Sequence, residues 1–231
     1  MNYAATEIKK FDQFANDWWD PNGPMKPLHQ LNPIRLHYIQ QHATLLGKHV
    51  IDVGCGAGLL SESLAKARAI VTAIDMSEQA LCVAIAHAEQ QHLQHVSYQK
   101  ITIEEQAAMT PESQDVVTCM ELLEHVPDPI SVIHACTTIA KPGGILFFST
   151  INRTLIAYLK AIVGAEYLLQ VLPTGTHDYQ QFIRPSELDR ACRQAGLELV
   201  NLSGLNYHPL KECFSLTTDV AVNYIACYRK P

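Results

Sequence analysis

His49-Val50-Ile51-Asp52-Val53-Gly54-Cys55-Gly56-Ala57-Gly58-Leu59-Leu60 decides the fold. Val50, Ile51 and Val53 are β-branched and read as a buried strand. Three glycines at alternate positions let the backbone turn tightly, with no Cβ between it and a ligand. Leu59, Leu60, Leu64 and Ala65 then recur at helical spacing, so the free N–H groups of a helix's first turn face the glycine turn. A dinucleotide fingerprint needs glycine at the sixth position from Gly54, which is Leu59 here. A phosphate loop needs a terminal Lys-Ser or Lys-Thr, and Gly58-Leu59-Leu60 supplies neither.

Strand-end Asp52 followed by Gly54, Gly56 and Gly58 resembles motif I of the class I S-adenosylmethionine-dependent methyltransferases. In that class the acid and the bare turn meet a zwitterionic amino-acid tail. Val71 to Asp75 reads as the next strand, with Asp75 23 residues beyond Asp52. An acid so placed has two oxygens for the vicinal hydroxyls of a ribose. The alternative role, capping the helix that starts near Ser77, is one that Ser77 fills by itself.

Outward from this stretch, strands and helices alternate. Strands are predicted at 48–53, 70–75, 96–101, 115–120 and 145–150, and helices at 58–67, 77–91 and 129–139. Asp128 and Pro129 open the 129–139 helix, and Pro142-Gly143-Gly144 stops it. Pro185 and Ser186 open a further helix, with Asp189 completing a capping-box-like pair, and strands near 197–203 and 220–228 close the sheet after a long 204–219 loop. Upstream, Ile8, Phe11, Phe14, Ala15 and Trp18 share a face of a 6–20 helix, and Asn32-Pro33 starts a second that runs to about Thr44. The expected fold is α/β, a doubly wound, mostly parallel seven-stranded sheet. Within a single 1–231 domain, residues 1–46 form N-terminal helices, 47–150 the cofactor half, 151–183 an apolar insertion and 184–231 the C-terminal helix and strands. The N-terminal helices are placed to lie over the ligand mouth. Of adjacent Trp18 and Trp19, one is expected in the core and the other at a substrate wall.

The chain has 231 residues, 48% of them hydrophobic and 17% charged, which indicates a globular protein. A net charge of −6 argues against a nucleic-acid partner. Seven cysteines without a C-x-x-C pair, and a polar start without an apolar leader, predict reduced thiols in the cytoplasm.

Met120-Glu121-Leu122-Leu123-Glu124-His125-Val126-Pro127 follows the fourth strand. If residues 121–125 make a helical turn, Glu121, Glu124 and His125 lie at i, i+3 and i+4 on one side. Such a face can bind a divalent metal such as Mg²⁺, supply His125 as a general base, or form an ordinary hydrated loop. Further on, Leu155 to Pro173 is very apolar. It reads either as a core helix and lid, with a hinge at Gly175-Thr176-His177-Asp178, or as a surface that dips into a bilayer.

Several blocks together resemble the bacterial ubiquinone biosynthesis O-methyltransferases: motif I, Met120 to Pro129, Lys141 to Gly144, Ser149 to Arg153, Gly164 to Tyr167 and Gly175 to Asp178. Trp18-Trp19-Asp20, Lys26 to His29 and Asn32 to Arg35 join them. The resemblance implies a cofactor site at Arg35, Gly54, Asp75 and Met120, with Asp52, Gly56, Gly58 and Met76 beside them and S-adenosyl-L-methionine as the cofactor. It implies Glu121, Glu124 and His125 as ligands of a divalent metal, and His125 and Glu124 as the catalytic pair. It implies polyprenylated catechols or hydroquinols as substrates, methylated on oxygen at two steps. On the second reading of the apolar 155–173 stretch, peripheral contact with the inner face of the membrane would collect such a polyprenyl substrate, and other enzymes of ubiquinone synthesis are candidate partners. The competing readings are a methyltransferase for another small phenol and a non-catalytic, cofactor-binding scaffold.

Overall fold

The computed structural model describes residues 2–154, 157, 179–209 and 211–231. Eight strands form one sheet in the order β3-β2-β1-β4-β5-β8-β6-β7. They are β1 His49–Val53, β2 Ile70–Asp75, β3 Val96–Lys100, β4 Gln114–Met120, β5 Ala140–Ile151, β6 Glu198–His208, β7 Cys213–Thr217 and β8 Asn223–Arg229. The first five are mutually parallel, β8 is antiparallel to β5, and β6 is antiparallel to both β8 and β7. The doubly wound expectation therefore holds, with one strand more than anticipated. That strand, β7, folds back on β6 inside the stretch read as a loop. Its alternation is short, and a positive φ of 46° at Glu212 makes the reversal without glycine.

The helices are α1 Ala5–Asp12, α2 Lys26–His42, α3 Leu59–Lys66, α4 Glu78–Gln90, α5 Ile103–Met109, α6 Pro129–Ile139 and α7 Pro185–Gln194. Side chains alternate across the sheet, so Val50 and Val116 pack with α2 and α3, while Ile51, Val53, Val117 and Cys119 pack with α5, α6 and α7. Both layers bury large side chains, among them Tyr38, Phe147, Phe148 and Tyr228.

Several expectations need correction. The 6–20 helix stops at Asp12 and is followed by a separate 3₁₀ turn at Ala15–Asp17. Asn32 does not cap α2, which starts six residues earlier with Pro27 in its first turn, and Pro33 lies inside the helix. Buried Asn32 instead donates through its side-chain amide to the Leu59 carbonyl and Ser63 Oγ, fastening α2 to α3. α5 was not anticipated, although Thr102 and Glu105 form its capping box. Pro142, Gly143 and Gly144 lie within the irregular start of β5 rather than in a loop. At α7 the carboxylate that accepts from the Arg184 N–H is Glu187, while Asp189 pairs with Arg193. Ser77 and Asp128 cap α4 and α6 as expected.

Among the described residues no helix is long and apolar enough to cross a membrane. Apart from Ala157, the apolar 155–173 stretch lies outside the described residues, as does Gly175 to Asp178.

Candidate active site

The parallel strands present their carboxyl ends to one cavity of about 680 Å³. Its base is the glycine turn between β1 and α3. Gly54, Gly56 and Gly58 have φ of 73°, 53° and 89°, the left-handed region that other residues enter at a cost. Two of them also make room for protein: a Cβ at Gly56 would lie 2.5 Å from the Trp18 ring, and one at Gly58 would strike the Tyr98 hydroxyl. The turn is thus less bare than its sequence suggests, because Trp18 roofs it.

The two acids beside the turn are tied locally. Asp52 accepts from Ser61 Oγ at 2.6 Å and Thr118 Oγ1 at 2.7 Å. Thr118 is its register partner on β4. Asp75 accepts from the Gly56 N–H and the Ser77 N–H, both at 2.8 Å. Burial pushes both carboxyls above their ordinary pKa, against the pull of those hydrogen bonds.

The turn after β4 is built differently. Glu121 has a φ of 51°, and only Leu123–His125 forms a 3₁₀ turn, so the α-helical spacing expected of Glu121, Glu124 and His125 is not realised. Glu121 Oε1 accepts from Ser149 Oγ at 2.7 Å and lies 3.1 Å from Arg35 Nη2. Arg35 is 7% exposed, and among the described residues its Nε has no hydrogen-bond acceptor; Nη2 meets Glu121 in charge but outside hydrogen-bond alignment. Thr150 Oγ1 donates to Glu124 Oε2 at 2.9 Å, and among the described residues no donor reaches the buried Glu124 Oε1. Burial, and then the neighbouring Glu121 charge, push the Glu124 carboxyl well above the usual range. His125 turns the other way. Its Nδ1 lies 3.0 Å from Glu7 Oε2, and its ring stands edge-on to Phe11 at 5.1 Å. The His125 hydrogen bond holds the Glu7 carboxyl down at about 2. The three side chains expected to share a metal-binding face are therefore not brought together. Among the described residues no group of three or more His, Cys, Asp or Glu is arranged to hold a metal ion.

The N-terminal segment closes the cavity, as its place in the chain anticipated. Asn2 bonds to Glu104 and to the backbone of Asp128, Asp12 accepts from Ser77 Oγ, and Trp19 Nε1 donates to the Ala57 carbonyl at 3.0 Å. Trp18 is both buried and cavity-lining; Trp19 stacks on His87 at 3.5 Å and lines no part of the cavity. Arg35, Asp52, Gly54, Gly56, Asp75, Met76, Met120, Glu121 and His125 all line the cavity, whereas Gly58 and Glu124 sit behind its wall. Glu7, Ser61, Thr118 and Tyr98 were not singled out from the sequence. Of these only Thr118 was within reach, through the pairing of β1 with β4.

A buried cation with an unmet donor, apolar walls and an imidazole oriented by a carboxylate suit a ligand with an anionic end and a weakly acidic reactive group. A methyltransferase-domain family model matches residues 28–202. A Coxiella burnetii protein described as a ubiquinone biosynthesis O-methyltransferase is 58% identical over 230 residues, 99% of this chain and 97% of that one. One of the same description from Azoarcus sp. is 56% identical, over 99% and 98% of the two chains. Among solved structures, magnesium protoporphyrin IX methyltransferase from Synechocystis with bound SAH is similar at a TM-score of 0.70 and 18% identity, covering 97% of this chain and 98% of that one. A SAM-dependent methyltransferase from Thermotoga maritima is similar at 0.68 and 18%, covering 96% and 98%.

Proposed function

The chain belongs to the ubiquinone biosynthesis O-methyltransferases, and from that premise we propose that the cavity is where a methyl group passes from S-adenosylmethionine to a phenolic oxygen. The substrates are polyprenylated catechols and hydroquinols, 2-polyprenyl-6-hydroxyphenol and 3-demethylubiquinol, at the two O-methylation steps of ubiquinone synthesis. The observation that carries the reading is the continuity of one cavity from the glycine turn and Asp75 to Arg35 and His125.

S-adenosylmethionine supplies a sulfonium methyl already activated for transfer, so the protein's task is to bind, align and handle a proton. Arg35 receives the methionine carboxylate, and its unmet Nε donor supports that role. Asp75 takes the ribose hydroxyls; its two backbone hydrogen bonds fix its plane and leave acceptor capacity on both oxygens. Asp52 holds the turn through Ser61 and Thr118. Gly54, Gly56 and Gly58 keep the turn's path, and Met76 and Met120 complete the contacts at the tips of β2 and β4.

A phenol of pKa near 10 is a poor nucleophile at neutral pH until its proton is drawn away. His125 takes that proton. Glu7 fixes the imidazole with Nδ1 as donor, which makes Nε2 the basic nitrogen. Glu124 supports the same face from behind. A divalent cation such as Mg²⁺ is a further part of the proposal. Glu121 and Glu124 lie close together, and two neighbouring carboxylates suit a cation, whereas His125 would have to leave Glu7 to join them. Held there, the ion would lower the phenol's pKa as a Lewis acid. Peripheral membrane contact through 155–173, and association with other enzymes of quinone synthesis, fit a substrate whose tail dissolves in lipid.

The test is incubation of the protein with S-adenosylmethionine and a prenylated catechol, with and without a chelator. Methylated product supports the reading. Loss of turnover in chelator assigns the Glu121–Glu124 pair to a cation, and unchanged turnover leaves His125 as the base. Absence of product despite cofactor binding would overturn the substrate assignment.

A further inference from the structure

The cavity extends beyond the two turns. Past Arg35 it runs along the first turns of α2 and the β6–β7 hairpin, where Leu28, Leu31, Leu205, Tyr207 and Phe214 line it and Pro209 stands at the rim. Leu28, Leu31 and Arg35 are spaced i, i+3 and i+7, so one face of α2 serves both the reacting chamber and this arm. Tyr207 and Phe214 are register partners with ring centroids 5.0 Å apart. Lys26 at the start of α2 reaches Glu212 in the hairpin turn at 2.6 Å, joining the two walls outside the arm.

Among the described residues Arg35 is the one charged side chain from these two walls that lines the cavity, at the chamber end, and Gln30, Asn32 and Asn206 are the polar ones; Leu28, Tyr207 and Phe214 are only half-buried. Beyond Arg35 the arm therefore offers mainly apolar surface without a charged group, which suits neither a phosphate nor an acidic tail. It lies at a distance from the chemistry. β6 is three strands across the sheet from β4, about 14 Å at the usual strand spacing. A bare catechol at the β4 turn cannot span that gap, but a catechol with a long apolar substituent can.

We propose that the arm between α2 and the β6–β7 hairpin holds the first units of the substrate's linear isoprenoid chain while its ring lies at His125. This rests on the methyltransferase reading above and adds the residues that select for the tail. The test is a catechol carrying a geranylgeranyl chain with a photoreactive diazirine partway along it, irradiated with the full chain and mapped by peptide. Labels are expected within residues 25–31 and 205–214, and excess unlabelled prenylated catechol removes them. Labels elsewhere, or labels displaced only by phospholipid vesicles, would overturn the proposal, the latter in favour of a lipid surface.

Kinetics give a second readout. In Phe214→Ala and Leu28→Glu, kcat/KM for the prenylated catechol should fall about tenfold more than kcat/KM for the same catechol without its chain. Cofactor affinity, measured directly, verifies that each variant is folded. Equal falls on both substrates would refute tail binding. Failure of the underlying reading looks different: the unmutated protein would then methylate neither catechol.

Discussion

Two turns at the same edge of the sheet, one after β1 and one after β4, do opposite things with their acidic side chains. The acids beside the β1 turn are each held on both oxygens by near neighbours: Asp52 by Ser61 and its register partner Thr118, Asp75 by the N–H groups of Gly56 and Ser77. The β4 turn draws its partners from α1, α2 and the end of β5, and among the described residues no donor reaches Glu124 Oε1 and no acceptor reaches Arg35 Nε. Buried polar groups without partners are costly, and they concentrate where a ligand or a reaction supplies what is missing. The β1 turn is therefore set in place before any ligand arrives, and the β4 turn is completed by what binds there.

The contrast can be broken by mutation. If the β4 turn carries the chemistry, His125→Ala should lower kcat about 10²- to 10⁴-fold while the melting temperature stays within a few degrees. A collapse of stability with little loss of kcat per folded molecule would put the chemistry elsewhere. Gly56→Ala should act the other way. Its φ of 53° and the Trp18 ring at 2.5 Å cost about 2–3 kcal/mol, so Tm should drop by roughly 5–10 °C, with weaker cofactor binding, as read by calorimetry. A smaller effect separates charge from geometry across the two turns. Arg35→Lys keeps the charge but loses the planar fork, and should weaken S-adenosylmethionine about tenfold in an equilibrium titration. The smallest tests the scaffold alone. Ser77→Ala removes the cap of α4 and should cost about 1 kcal/mol, a Tm shift of roughly 2–4 °C.

The same contrast explains what the sequence could reveal. The β1 turn was legible because its determinants are local: three glycines, a strand-end acid and β-branched neighbours within a dozen residues. Asp75 was legible by its spacing. The β4 turn was legible as a cluster but not as a geometry. Glu121, Glu124 and His125 were placed on one helical side, whereas the positive φ at Glu121 and the pull of Glu7, 118 residues away in sequence, separate them. Nothing in the spacing of a short polar helix announces that its glutamate meets an imidazole so far along the chain. α5 and β7 were missed for a related reason. Each is short, and α5's capping box is a local mark outweighed by the helix's brevity, whereas β7 is defined only by its partner across the hairpin. Asn32-Pro33 misled because an N-cap pattern and a buried inter-helix amide look alike in one dimension.

The protein has two tryptophans, adjacent in sequence and both in the segment that roofs the glycine turn. Trp18 is packed over Gly56, and Trp19 is stacked on an imidazole. All of the indole fluorescence of this chain therefore originates in its roof. Emission wavelength and quenching report whether that roof is seated, with no label attached and no background from the rest of the sheet. A ligand seated on the turn beneath should therefore register as a change of colour and intensity in these two rings.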